Sequence, residues 1–567
     1  MMRHSDSARR VASASLSRGH PNVPVPIPQG GCVERIETLL ENPQESGIGE
    51  YCKQFATSVD LSPMIINVEQ PESEGMSDHV TPAQSPVQEP QRKMRQVFGL
   101  FDLFPLSISS IGPVFSVAAT GGVMAADAGW WALPAIAILA IPFVVSSFVF
   151  RLLNRHFPNS GASYHWSSRV MGRRVSQYQA WILILAYFFS IPPIAIPAAT
   201  YTLALVAPHY HPTNIVTIVV TLFWIVFAAI PLLLGSKPTA QITKAFFVLE
   251  MISLVGFGIL GISRLHATSV GIHFGAIPVG GMLVVAVVAA TVLDGWEIDS
   301  YAAEESEKPR KDPGVSGVIG AFLALLFYAI LYPLMFSETP MHALAAPNDS
   351  DPLALWAQRV LPSAHWLILV PILASTAGGL WLTTYILTRA LYSMGRERLI
   401  PEAFGKLSKR HVPHIATVSV LGLTLLVVAV QLFVSSLGSF FNLVLSAAGF
   451  FLLAEFFFDI VTAIVFLTVG HKKLPDVQFQ PHQHRWLLIG AVFSGAVMGF
   501  LLVAFFIYGP KAIGAGIDQT LVVLLLAGVA FVFITLRRVK GAYVFHGNDA
   551  TPIDAPFPTS ATDGPKR

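Results

Sequence analysis

The chain has 567 residues, 53% of them hydrophobic and 12% charged, with a net charge of +2 and a mean hydropathy of +0.59. A soluble domain carries about 25% charged residues, so the composition excludes an ordinary soluble enzyme or binding module and implies an integral membrane protein. The charge balance gives no footing for nucleic-acid binding, and the two cysteines, Cys32 and Cys52, precede the first apolar segment, which excludes a cysteine framework or metal site in the membrane part.

Residues 1–96 are polar and rich in Ser, Pro and Gln, as a disordered tail is. The first twenty are Arg- and Ser-rich without an apolar core, which fits a transit peptide but not a secretory signal. Translation from Met76, leaving a short tail, fits equally well.

A helix needs roughly 20 apolar residues to cross the hydrocarbon. Six segments meet this without a charge: 131–150, 214–235, 314–336, 415–437, 486–509 and 519–536. Six more meet it with polar interruptions: 97–126, 176–207, 241–263, 279–303, 366–394 and 440–470. The expectation is an all-α integral membrane protein of twelve spans. Loops after even-numbered spans hold eighteen Lys and Arg, against three (Arg264, Arg359 and Lys511) after odd-numbered ones. By the positive-inside rule both termini face the cytoplasm, and residues 539–567 form a second polar tail.

The first span contains "PLSISSIGPVFS" (105–116). Pro113 cannot donate a backbone hydrogen bond, Gly112 tolerates unusual dihedrals, and Ser109 and Ser110 can bond freed backbone groups. The pattern predicts a break at 109–113. The sixth span is interrupted at Asp294–Glu297, within "LDGWEIDS". One broken span runs outward and the other inward. Paired interruptions of this kind point to a transporter's binding site. The second half of the first span, opening at Pro113, would present N–H groups to an anion. The first half of the sixth, ending at 292–294, would present carbonyls to an ammonium. A zwitterionic amino acid carries both charges on one carbon.

Charges inside other spans cost about 3 kcal/mol each on insertion scales. Glu250 in the fifth span, and Glu455 with Asp459 in the tenth, are candidates for ion coupling. The last two share a helix face at i and i+4 and would repel if both ionised. Arg389 lies in the eighth span, and Asp102 and Lys244 near span ends, where snorkelling explains them. Ser375 and Thr376 in the eighth span offer hydroxyl ligands for sodium instead. The two histidines of "PHYHP" (208–212) read as a solvated turn, the prolines at 192, 193 and 197 as kinks, and Trp381 as packing. No nucleophile–base pair or metal-ligand cluster supports an enzyme, and no cofactor is expected.

Three stretches resemble the amino acid–polyamine–organocation permease family, with similarity over most of 97–470. "GWEIDSYAAEESEKPRKDPG" (295–314) looks like its sixth-span signature, "FPNSGASYHW" (157–166) like the loop before the third span, and "TRALYSMGRERLIPEAFGKLSKRHVPHIATV" (388–418) like the end of the eighth span and its loop. The resemblance implies a five-plus-five inverted repeat with discontinuous spans 1 and 6, forming a transport core over 97–470, with two added spans over 471–538. It also implies secondary active transport of amino acids or related amines across the cell membrane by alternating access, in which symport with protons through Glu250 is one option and uncoupled exchange another. By that likeness Ser109, Ser110, Ile111 and Gly112 would hold the substrate carboxylate, Leu293, Asp294 and Gly295 its amine, and Trp296 would stand beside the pocket. The first-span stretch departs from the Gly-Ser-Gly of many members and is closer to a Ser-Ser-x-Gly-Pro subgroup. Asp294 stands where an apolar residue is usual. It would favour a dibasic amino acid, polyamine or organic amine, or else cap the following helix.

Overall fold

The computed structural model describes residues 93–345, 351–430, 437–474, 479–512 and 517–538. The two tails expected to be disordered lie outside the described residues except for 93–96, where Met94 is buried and the Lys93 carbonyl lies 2.7 Å from His411 Nδ1. Cys32, Cys52 and Met76 also fall outside.

Among the described residues the chain is helical, with one isolated bridge between Phe98 and Ser306. The helices in order are α1 (Leu100–Ile111), α2 (Pro113–Ala128), α3 (Ala132–His156), α4 (Ala162–Val170), α5 (Arg173–Val206), α6 (Asn214–Leu234), α7 (Ser236–Thr268), α8 (Val279–Val288), α9 (Ala290–Leu293), α10 (Ile298–Tyr301), α11 (Asp312–Glu338), α12 (Met341–Leu344), α13 (Pro352–Val360), α14 (Leu369–Arg396), α15 (His414–Val430), α16 (Leu437–Thr468), α17 (Arg485–Ala512) and α18 (Ile517–Arg538). Nine stretches among the described residues are long and apolar enough to cross a membrane, and the first of them, Leu100–His156, holds both α1–α2 and α3. Val279–Leu293 and His414–Ala429 are shorter apolar helices. This is a multi-pass, all-α membrane protein. The short helices α4, α12 and α13 fall in stretches read from the sequence as loops, because their apolar runs are too short to register as spans.

Burial separates central from peripheral spans. In the most apolar windows of α5 and of Pro362–Arg396, 78% of residues are buried, against 22% for α7 and 17% for Ile517–Arg537. α5 packs along α14 and α16, and α14 also meets α1, α2 and α7. Ile252 and Ile259 on α7, Phe500 and Val503 on α17, and Phe533 on α18 are exposed. In water such a belt would drive aggregation; here it faces lipid.

Candidate functional site

The first span breaks at a single residue. α1 ends as the Gly112 N–H bonds to Ile108 O (3.0 Å), with Gly112 at φ +57° and ψ +62°. That left-handed geometry closes a helix at little cost only for glycine, and Pro113 then opens α2 with the fixed φ a first helical position requires. The sixth span breaks after α9, where Asp294 is extended and Gly295 has φ +107°. α10 resumes at Ile298. A methyl group built on Gly295 would stand 2.6 Å from Ile111 N and 2.7 Å from Ser110 C. The two breaks therefore touch, backbone to backbone.

A narrow cavity lies beside the contact. Ser110, Ile111, Phe115, Ser116 and Thr120 line it from the first span, Ser190 and Ile194 from α5, Thr291 and Asp294 from the sixth, Gly379 and Thr383 from α14, and Leu445 and Ala448 from α16. Of the residues expected to hold substrate, Ser110, Ile111 and Asp294 face it. Ser109 and Ser110 are buried with hydroxyls that have no partner. Leu293 and Gly295 lie in the adjoining backbone. Trp296 turns away from the cavity. Its indole N–H bonds to Leu293 O (2.9 Å), and its ring meets Phe150 and Phe456 (5.0 and 5.6 Å between centroids). The close fit of Gly317 and Gly320 on α11 makes room for it.

The N–H groups that open α2, expected from the sequence to be free for an anion, are bonded within the protein. Val114 N–H donates to Glu250 Oε1 (3.3 Å), Phe115 N–H to Ser375 Oγ (3.2 Å) and Ser116 N–H to Gly112 O (2.8 Å), while Pro113 has none. On the sixth span, Tyr328 OH donates to Val292 O (2.8 Å). A buried helix end without ligand requires such partners. Glu250 thus caps α2 from α7, with Ser375 Oγ donating to it at 2.5 Å. Glu250 and Ser375 stand together at the first break, and Thr376 Oγ1 donates to its own helix at Ile372 O (2.6 Å).

Glu455 and Asp459 lie off the cavity in a buried network. Ser163 Oγ of α4 is 3.0 Å from Glu455 Oε1 and 2.9 Å from Asp459 Oδ2. Tyr301 OH donates to Glu455 Oε1 (2.7 Å) and Tyr187 OH to Glu297 Oε1 (3.1 Å). Nothing in the linear sequence placed Ser163, Tyr187 or Tyr301 beside these acids; lone hydroxyls in apolar stretches carry no spacing signal.

Buried ion pairs seal the segment after α10 against α14. Arg389 Nη2 pairs with Glu305 Oε1 (3.1 Å) under the Tyr385 ring, whose hydroxyl also meets Glu305, and Arg396 Nη1 binds Glu304 Oε2 (2.8 Å). Val97 and Phe98 N–H groups donate to Glu305 O (2.8 and 3.0 Å). Beside this seal, His165 Nδ1 is 3.3 Å from Glu397 Oε1. Burial holds the imidazole down at about 3 and pushes the Glu397 carboxyl up to about 8, so near neutrality the contact is a hydrogen bond between uncharged groups. Lys244 and Asp102 form a partly exposed ion pair.

An amino acid permease profile matches residues 98–532. The chain belongs to the amino acid permease family. This permease is 25% identical over 334 residues to the L-methionine/branched-chain amino acid exporter YjeH of Escherichia coli, covering 56% of the chain and 74% of that protein. It is 23% identical over 353 residues to the branched-chain amino acid permease BcaP of Bacillus subtilis, covering 58% and 73%. The manganese transporter of Eremococcus coleocola shares its fold, with a TM-score of 0.50 at 14% identity, over 80% of this chain and 99% of that one. Homologues of the permease are transporters, not enzymes.

Proposed function

We propose that the permease carries amino acids across the cell membrane by secondary active transport with alternating access, coupled to protons. The observation that supports this most is the meeting of two broken spans beside a cavity faced by Ser110 and Asp294. On this reading the chain crosses twelve times, with both termini cytoplasmic. Residues 97–470 form two inverted five-span halves, and 471–538 add two spans. The basic end is then the cytoplasmic gate, closed in this state, with the cavity on its outer side.

The substrate carboxylate would bind at the Ser109 and Ser110 hydroxyls, beside Ile111 and Gly112, and reach the N-terminus of α2. The ammonium would bind at Asp294 with the Leu293 carbonyl, beside Gly295. Glu250 explains coupling. When ionised, it holds the N-terminus of α2 as a competing anion. A proton on Glu250 weakens its bond to Val114 N–H and removes that competition, so proton and substrate anion favour each other's binding. One charge crossing 100 mV supplies about 2.3 kcal/mol, or roughly a 40-fold gradient.

The lining by Ile111, Phe115, Ile194 and Leu445, together with the methionine and branched-chain substrates named for the relatives, favours a neutral amino acid with an apolar side chain. A dibasic amino acid or polyamine is the second reading, favoured by the Asp294 carboxylate in the cavity. Uptake of labelled L-leucine and L-lysine into proteoliposomes under an imposed pH gradient tests both. Accumulation that disappears with Glu250→Gln, while exchange persists, supports the coupling. Accumulation unchanged in that variant moves the proton elsewhere.

A further inference from the structure

On the side of the sixth-span break away from the cavity, Glu297, Glu455 and Asp459 are all buried, and among the described residues none makes an ion pair. Unpaired buried charges are expensive in a membrane protein. The groups facing them do not relieve this. α5 supplies Tyr187 and Gln179; α4 supplies Ser163, with His165 bonded instead to Glu397. The sixth span adds Tyr301 and two further acids, Asp294 and Asp299. Arg389 and Arg396 of α14 are bound to Glu305 and Glu304.

The hydrogens can be counted. Ser163 Oγ lies within hydrogen-bond distance of both Asp459 and Glu455 but has one hydrogen, which serves one of them. The other contact closes only when a carboxyl brings its own proton. A separate observation points the same way. Gln179 donates Nε2 to Asp459 Oδ1 (2.8 Å), and its Oε1, fully buried, has no partner; nor has Glu455 Oε2. Two enclosed acceptors stand ready for a mobile hydrogen.

We propose that Asp459, Glu455 and Glu297, linked by Ser163 and Tyr187, are a second proton-holding site and a proton path leading from Asp459 to the break in the sixth span. Its first and last acids are met by Gln179 and Tyr187 of α5, eight positions apart and so about 12 Å along the helix. A proton on Asp459 passes to Ser163 Oγ as the serine hydrogen moves to Glu455 Oε1. Glu455 then protonates the Tyr187 oxygen as the tyrosine hydrogen moves to Glu297 Oε1, across contacts of 3.4 and 3.1 Å. Each transfer breaks one O–H bond and forms one, so a single proton advances and no electrons move. At the end of the path Glu297 Oε2 accepts the Gly295 N–H (2.7 Å). Protonating Glu297 takes the charge from that bond and loosens the linker at Gly295, which ties the proton to the movable joint.

This inference rests on the reading of the chain as a proton-coupled permease, and the test separates the two. Infrared spectra of purified wild type, Glu250→Gln and Glu455→Gln report the carbonyl band of protonated carboxylic acids. L-Leucine accumulation in proteoliposomes reports coupling. A protonated-acid band should remain in Glu250→Gln and diminish in Glu455→Gln. A one-unit pH gradient corresponds to about tenfold accumulation per proton. That ratio should fall to about one in Glu455→Gln, and the proton-driven rate should fall about tenfold or more in Tyr187→Phe, with exchange less affected in both. Accumulation and rate at wild-type levels in both variants would overturn the path, as would a band wholly lost with Glu250→Gln or a requirement for sodium at constant pH. If wild-type protein does not respond to a pH gradient at all, the coupling reading fails, while the infrared comparison still decides whether Glu455 belongs to a proton-holding site.

Discussion

Gly295→Ala probes the contact between the two breaks. At φ +107° an L-residue is strained by about 1–3 kcal/mol. The added methyl would stand 2.6–2.8 Å from backbone atoms of Ser110 and Ile111, which cannot rotate away as a side chain can. Relieving it separates the spans, at the roughly 1–3 kcal/mol typical of overpacking. The two effects together come to about 4 kcal/mol, or about three orders of magnitude in the population of the closed contact. Gly256→Ala on α7 is the control, since its methyl meets nothing within 4 Å and its backbone is helical. Thermal unfolding in detergent and proteoliposome uptake measure both variants. Gly295→Ala should melt several degrees lower and lose transport by a hundredfold or more, and Gly256→Ala should match the parent. Wild-type melting and uptake in Gly295→Ala would refute the backbone contact.

Replacing Asp294 with Asn should weaken cationic substrates most, read as a larger rise in apparent KM for L-lysine than for L-leucine; equal losses would make Asp294 structural. Arg389→Met should destabilise by about 3–5 kcal/mol by leaving Glu305 buried without its guanidinium, and Arg389→Met with Glu305→Gln should recover most of that melting temperature. Because burial raises Glu397 from 4.5 to about 8, the folded state binds a proton that the unfolded state releases. Its contribution to stability is therefore present at low pH and lost as pH rises from about 4.5 through 8. Melting temperatures across that range should fall less steeply in Glu397→Gln, and an unchanged slope would assign the dependence elsewhere.

Much of the site was legible because breaking a membrane helix demands particular residues. Gly112 with Pro113, and Asp294 with Gly295, announce interruptions wherever they sit in an apolar run, and the structure places both breaks where those residues stand. Who satisfies the freed groups was not legible. Glu250 lies 136 residues from Val114, and Ser375 lies 260 from Phe115. No periodicity or local spacing encodes such pairings. The direction of Trp296 was also hidden, since an aromatic beside a break can face the cavity or the core. Gly317 and Gly320 decide that, by vacating space on α11. The same holds for Tyr187, Tyr301 and Ser163: each is unremarkable alone and gains its meaning only when α4, α5, α10 and α16 converge.

Purified permease in proteoliposomes, with an inside-alkaline pH gradient and labelled amino acids offered one at a time, tests the transport claim most directly. Saturable accumulation of at least one amino acid, collapsing when the gradient is dissipated, is the expected result. No flux of any amino acid or amine, in either direction and with or without the gradient, would contradict it.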